Sequence, residues 1–267
     1  MKVTSSNLVG PAQFFSDDVM DRLGTALSAA VAKSTTPHSA ILFSGGLDST
    51  VLAFLAKKSG KSSLLITAGM EDSEDIKFAK GIASEIGMKL ETRIISPDEL
   101  RGLYERAAKI SGETDFMKIE LGLLLLACCE TAQKKGIHFL ISGTGAEELF
   151  LGYKMHAEKH ASKENLDELR RTELAGLQAK DLARNEKIAA ACGIKLALPY
   201  LNEAVVQAAL AIPANENFAK GENKAALRNL AREIGVPETA CSRPKRAMQY
   251  GSGIHGLLLK MRKGKLI

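Results

Sequence analysis

No stretch of this chain is apolar enough to cross a membrane. A spanning helix needs about 20 consecutive apolar residues, and the longest candidate, Leu121 to Cys129 (LGLLLLACC), fits a buried helix instead. The opening MKVTSSNLVG has no apolar core behind its lysine, so nothing there reads as a secretory signal. A cytoplasmic protein without membrane contact is expected. The four cysteines, at 128, 129, 192 and 241, have no C-x-x-C spacing, which removes the usual zinc and redox-pair signatures and leaves buried free thiols. Two common phosphate-binding signatures are missing too. The only GKS, Gly60-Lys61-Ser62, has Leu55 where a Walker A loop needs its first glycine, and it ends a helix instead of opening one. Gly143-Thr144-Gly145-Ala146-Glu147-Glu148 lacks the third glycine of G-x-G-x-x-G.

What remains is the composition of an ordinary globular protein, 45% hydrophobic and 25% charged over 267 residues. That length holds one full domain plus an appendage, or two small domains. Net charge is +5, and basic residues gather late, at Arg243, Lys245 and Arg246 and again at Lys260, Arg262, Lys263 and Lys265. Such a balance suits a polyanion such as ATP or RNA. No aromatic residues interleave with these groups, so nucleic acid is not expected as a partner, and residues 260–267 read as a solvated face and frayed tail.

The chain is organised around Ser39 to Thr50, SAILFSGGLDST. Ala40 to Phe43 read as a short buried strand and Asp48 to Lys58 as a helix. The turn between them carries adjacent glycines, Gly45 and Gly46, which let backbone amides approach a ligand at a helix N-terminus. Amides and serine hydroxyls suit phosphate oxygens, and Asp48 suits a magnesium ion between them. A plain strand-to-helix turn with an acidic first helical turn is the alternative for this loop taken alone.

Periodicity places a helix at Ser16–Lys33, strands at Ser63–Thr67 and Lys89–Ser96, and a helix at Ser73–Ile86. Pro97 opens another helix, Phe116–Lys135 is a long one stopped by Gly136, and Ile137–Ile141 is a fourth strand. Strands alternating with helices predict an α/β fold with a doubly wound parallel sheet, whose ligands sit at the carboxyl ends of the strands. Beyond Gly152 the pattern turns to helices without convincing strands: Asn165–Gln178, Lys180–Ala191, Glu203–Ala211 and Asn223–Gly235. A nucleotide-binding domain over 1–152 and a helical substrate or closure region over 153–267 are expected.

The loop S-G-G-x-D-S resembles the pyrophosphate-binding loop of the N-type ATP pyrophosphatases, the PP-loop enzymes. More of the chain is similar to one branch, the C-terminal synthetase domain of the asparagine synthetase and β-lactam synthetase group. The matching segments are SGGLDST, GMEDSEDI (Gly69 to Ile76), SGTGAEELFLGY (Ser142 to Tyr153), Leu198-Pro199-Tyr200-Leu201, Lys224-Ala225-Ala226-Leu227-Arg228 and Arg243-Pro244-Lys245, in family order. The resemblance implies an adenine nucleotide alpha hydrolase-like fold and an AMP-forming ligase that uses ATP and Mg2+. A carboxylate, aspartate as first guess, becomes an acyl-adenylate with release of pyrophosphate and is then amidated by ammonia or an amine. By motif, Ser44, Gly45, Gly46 and Ser49 hold pyrophosphate, Asp48 and Glu147 ligate magnesium, and Phe43, Ala68, Ser142 and Gly143 lie along adenosine. Lys224 stabilises developing charge, and Arg243 and Lys245 assist on the phosphates.

Departures from the family pattern fall on the acceptor side. Thr144 stands where asparagine synthetases carry the glutamate of G-E-G, Glu147 replaces an aspartate, the E-x-R-x-P segment becomes Lys195-Leu196-Ala197-Leu198-Pro199, and Asn202 replaces an aspartate. A poor asparagine synthetase, or a ligase for a different acid, is therefore expected. No glutaminase domain precedes the loop in this sequence, so free ammonia, another amine or a separate glutaminase chain is expected to supply nitrogen. The alternatives are a PP-loop RNA-modifying enzyme, whose thiolating forms need a cysteine pair, and a non-catalytic nucleotide-binding subunit.

Overall fold

The computed structural model describes every residue except 1–16, 62, 220, 244–247 and 266. Five strands, β1 (Ser39–Leu42), β2 (Leu64–Gly69), β3 (Leu90–Ile94), β4 (Phe139–Ile141) and β5 (Lys195–Ala197), form one sheet in the order β3-β2-β1-β4-β5. Every pairing is parallel. The first helices are α1 (Asp17–Ser34), α2 (Leu47–Lys58), α3 (Glu74–Glu85), α4 (Pro97–Ser111) and α5 (Phe116–Lys134). After β4 come α6 (Ala146–Leu149), α7 (Lys154–Ala161), α8 (Leu166–Leu177), a π-helical turn (Gln178–Leu182) and α9 (Ala183–Ala191). Beyond β5 lie α10 (Glu203–Leu210), α11 (Ala225–Ile234), α12 (Glu238–Cys241), α13 (Met248–Gly251) and α14 (Ile254–Lys263).

Alternation along the strands makes the two layers. Ile41, Leu65 and Ile141 pack with Leu27 of α1, Val51 and Leu52 of α2, and Leu227 of α11. Their neighbours Ala40, Ile66 and Leu140 pack on the opposite face with Leu100 of α4, Leu123 of α5, Ile188 of α9 and Ile254 of α14. Helices thus cover both faces, the doubly wound arrangement expected of strands that read as continuous apolar runs. Local signals also match their positions. The Ser96 hydroxyl accepts from the Glu99 amide ahead of Pro97, and the Asp115 carboxylate accepts from Lys118 at the start of α5.

Two expectations need correction. A strand lies beyond Gly152: β5 extends the sheet beside β4, pairing Phe139 with Lys195 and Ile141 with Ala197. Its three residues include no β-branched side chain, so propensity left no trace and only tertiary pairing defines it. Residues 260–263 also continue α14, which docks through the fully buried Ile254 and Leu258, instead of forming a frayed tail. Lys260, Arg262 and Lys263 do face solvent. Both core layers draw on residues from either side of position 153.

Candidate active site

Strand order reverses between β1 and β4, and in open α/β sheets a crevice forms outside the strand ends at such a point. Here the crevice is a cavity of about 350 Å³. From the end of β1 it takes Phe43, Ser44, Gly46, Asp48 and Ser49; from β2, Ala68; from the end of β4, Ser142, Gly143 and Glu147; from the N-cap of α11, Lys224; and from the loop after α12, Arg243. Gly45 serves the turn from behind. Its φ of +71° is one an L side chain rarely adopts, and a Cβ there would meet the Phe78 ring at 3.0 Å. Lys245 lies outside the described residues.

The turn is held by its own serines. Ser44 N–H donates to Ser49 Oγ at 3.3 Å and Gly46 N–H donates to Ser44 Oγ at 3.3 Å. Thr50 Oγ1 donates to the Gly46 carbonyl at 2.8 Å, pinning the first turn of α2. Arg243 joins the turn from the far end of the sequence, donating from Nη1 to the Ser44 carbonyl at 2.8 Å and from Nη2 to Asp75 Oδ1 at 2.6 Å, over the Phe78 ring. Asp75 is reached because Gly251 has no side chain: a Cβ there would lie 2.3 Å from Asp75 Oδ2.

At the centre of the cavity Lys224 Nζ lies 2.8 and 2.7 Å from the two Asp48 carboxylate oxygens and 2.9 Å from Glu147 Oε1. Burial disfavours the ammonium, but the Asp48 and Glu147 charges and hydrogen bonds outweigh it and hold the group above the usual lysine value. Lys224 therefore stays a fixed positive charge through the neutral range and is not a base. Its backbone is itself constrained, in the left-handed region at φ 61° and ψ 34°. Non-glycine residues held there cluster at functional sites, where surrounding structure over-determines them. Asn223 donates from Nδ2 to the Tyr153 carbonyl at 3.1 Å, Arg228 Nε donates to the Asn223 carbonyl at 2.9 Å, and Arg228 Nη1 donates to the Cys241 carbonyl. Gly152 leaves room for the side chain: a Cβ there would sit 2.0 Å from Lys224 Cε.

Asp48 and Glu147 converge on one ammonium, so their oxygens share a small volume of hard, anionic donors. Magnesium characteristically takes one or two protein carboxylates and completes its octahedron with water and substrate phosphate. The pair fits that requirement. Among the described residues no group of three or more His, Cys, Asp or Glu gathers as a metal site, and a phosphate-completed site needs none.

A family model described as asparagine synthase matches residues 22–173 and 157–264. The chain belongs to the asparagine synthase family. Among similar curated proteins is one of Methanocaldococcus jannaschii carrying the provisional name asparagine synthetase (glutamine-hydrolyzing) 1, 31% identical over 84% of this chain and 47% of that protein. The asparagine synthetase (glutamine-hydrolyzing) of Gallus gallus is 27% identical over 90% of this chain and 45% of its own length. The chain thus spans about half the length of the curated relatives it matches. Among solved structures, NMN synthetase from Francisella tularensis aligns with a TM-score of 0.48 at 16% identity, over 90% of this chain and 79% of that one.

Within this family member, several residues at and behind the cavity stood in matched segments but without an assigned role. Tyr200, fully buried behind the cavity, donates from its hydroxyl to the Asp48 carbonyl at 3.0 Å. Tyr153 donates to Glu148 Oε1 at 2.6 Å. Burial pushes the Glu148 carboxyl up, only partly offset by the Tyr153 hydrogen bond, and burial followed by the Glu148 charge pushes the Tyr153 phenol up as well. Thr144 shares a 2.8 Å hydroxyl contact with Ser142. Asp181, Arg184 and Asn185 complete that wall. Helical spacing alone marks 177, 181 and 184 as one face, but no pattern says that the face looks into a cavity.

Proposed function

We propose that this chain is an ATP-dependent carbon–nitrogen ligase that forms AMP. The observation that carries the reading is the convergence of the S-G-G-x-D-S turn, Asp48, Glu147 and Lys224 at the point where strand order reverses. In this reading the amides and hydroxyls of Ser44, Gly45, Gly46 and Ser49 take the β- and γ-phosphates, while Phe43, Ala68, Ser142 and Gly143 border adenosine. Asp48 and Glu147 would hold Mg2+, which would supply charge neutralisation on the phosphates when bound. A substrate carboxylate oxygen bonds to the α-phosphorus and the α–β phosphoanhydride bond breaks, releasing pyrophosphate. An amine nitrogen then bonds to the acyl carbon, the bond to AMP breaks, and the amine proton leaves to solvent or a neighbouring base. Lys224 stabilises the charge that develops in both steps, and Arg243, already on the Ser44 carbonyl, closes the turn over its guest. The region from 153 on supplies Lys224 and part of the acceptor wall.

The test is product analysis with a carboxylate panel: AMP and pyrophosphate are expected, and ADP with phosphate would overturn the reading. Nitrogen is expected from ammonia or another amine. A neutral Thr144 hydroxyl neither accepts a proton near pH 7 nor attracts an ammonium ion, so asparagine formation from aspartate is expected to be poor. Efficient asparagine production that falls in Thr144→Glu would restore aspartate as the substrate.

A further inference from the structure

The ATP assignment leaves one wall of the cavity unused. It lies toward the β4–β5 edge, away from β2 and β3, so the chain of an acid whose carboxylate reaches the phosphates must extend along it. Three leucines from three elements meet there: Leu121 of α5, Leu177 at the end of α8 and Leu196 of β5. Leu121 and Leu196 are only half-buried, so apolar surface is left facing the crevice. Wet apolar surface in a concave site rewards a ligand that covers it, because each methylene placed there leaves water as well.

The polar groups of this wall are closed on one another. Arg184, its one cation among the described residues, is buried, with Nη1 in an ion pair 2.9 Å from Asp181 Oδ1 and Nε donating to Asn185 Oδ1 at 3.0 Å. The π-helical turn Gln178–Leu182 sets the pitch that brings both Asp181 and Arg184 to the cavity; such turns recur at functional sites. Glu148, also buried, takes its hydrogen bond from the neutral Tyr153 hydroxyl. A second anion on the substrate would therefore meet two carboxylates, Asp181 and Glu148, and a guanidinium whose charge is already answered. A cationic chain would meet Arg184 on this wall and Lys224 beside it. A chain without charge disturbs neither pair.

We propose that Leu121, Leu177 and Leu196 form the specificity-determining face of the acceptor subsite, and that the acid taken there carries an uncharged apolar chain instead of a second ionised group. The inference rests on the adenylation reading above. The carboxylate faces Lys224 and the phosphates and reacts, its oxygen bonding to the α-phosphorus as the bond to pyrophosphate breaks, while the chain lies along the three leucines. Discrimination then has two sources: water released from the leucines by each methylene, and the penalty that Asp181, Glu148 and Arg184 lay on a charged chain.

The experiment runs propanoate, butanoate, pentanoate and hexanoate beside succinate, glutarate and 4-aminobutanoate in ATP–pyrophosphate exchange, which reads adenylation without the amine. The same acids are titrated calorimetrically in the presence of a non-hydrolysable ATP analogue. Wild type is expected to gain roughly threefold to fourfold in kcat/KM per added methylene, with succinate and glutarate at least about tenfold below butanoate and pentanoate. Leu196→Asn should cut the hexanoate-to-propanoate ratio by about tenfold, Leu121→Asn should do the same from α5, and Leu196→Met should keep it. A wild type that favours the diacids, or 4-aminobutanoate over pentanoate, overturns the proposal. So does a Leu196→Asn that lowers all acids alike, since that is what a leucine serving only the fold would do. The wild-type series decides the matter even if a variant does not fold. Binding that rises with chain length without pyrophosphate exchange upholds the subsite and sinks the adenylation reading. Exchange that is flat with chain length does the reverse, and absence of binding by every monoacid sinks the subsite.

Discussion

Two clusters of buried charge in this molecule are built on different terms. At the cavity, two carboxylates, Asp48 and Glu147, share the permanent cation of Lys224. Under α14, Glu120 is 0% exposed, and its carboxylate faces His255 Nδ1 at 3.0 Å from both oxygens. Burial pushes the Glu120 carboxyl up, with the histidine hydrogen bond and charge pulling the other way. The first cluster keeps its charge through the neutral range because its cation does not titrate there. The second pairs a buried carboxylate with a neighbouring imidazole instead of a permanent cation. A site that handles phosphate needs the former; a helix that only has to dock tolerates the latter.

Breaking the first cluster should have the largest consequence. Asp48→Asn removes the carboxylate at the start of α2 and is expected to abolish Mg2+-dependent turnover while circular dichroism stays that of the wild type, because Asp48 is not a core packing group. Lys224→Ala should lower the rate on the order of a hundredfold or more with ATP binding still measurable. It also leaves two carboxylates facing each other, so Tm should drop, by the equivalent of about 3 kcal/mol, and recover in part on adding Mg2+. Near-normal turnover in either variant would return that residue to a structural role.

A smaller effect on the same cluster comes from Gly152→Ala. The added Cβ would sit 2.0 Å from both Lys224 Cε and Glu147 Oε2, so the side chains must part, and activity is expected to fall toward that of Lys224→Ala without exceeding it. Wild-type kinetics in this variant would show that the cluster shifts freely.

The smallest effect is expected from the second cluster. A carboxyl raised in the folded state binds protons that the unfolded chain has already lost, so it lowers stability as pH rises from the ordinary value of 4.5 through the raised one. Glu120→Gln should remove that slope. Urea midpoints of wild type and variant, measured from pH 4 to 7, should diverge upward with pH in favour of the variant; parallel curves would mean that His255 holds the carboxylate charged throughout.

Legibility differed between the two clusters as well. Asp48 was legible in the sequence from the glycine turn that carries it, and Glu147 and Lys224 from the resemblance of their segments, SGTGAEELFLGY and KAALR, to those of the synthetase family. Glu120 and His255 stand in no such segment. One lies in the apolar α5 and the other in α14, just ahead of the stretch 260–267 expected as a solvated tail, and nothing in either stretch names the other as its partner.

The sequence by itself determined the parallel α/β sheet, through apolar runs alternating with amphipathic helices, and the turn at Ser44–Ser49, through residues whose backbone and hydroxyl chemistry is local. Tertiary structure alone decided what depends on distance in space. Pairing with β4 made a strand of Lys195–Ala197, the open side of Gly152 let Lys224 reach Asp48 and Glu147, and the π-helical turn brought Arg184 to the cavity. Local patterns record the conformation each residue prefers, whereas the charge pairs that define the site join positions as far apart as 48 and 224, whose meeting only the packed core can fix.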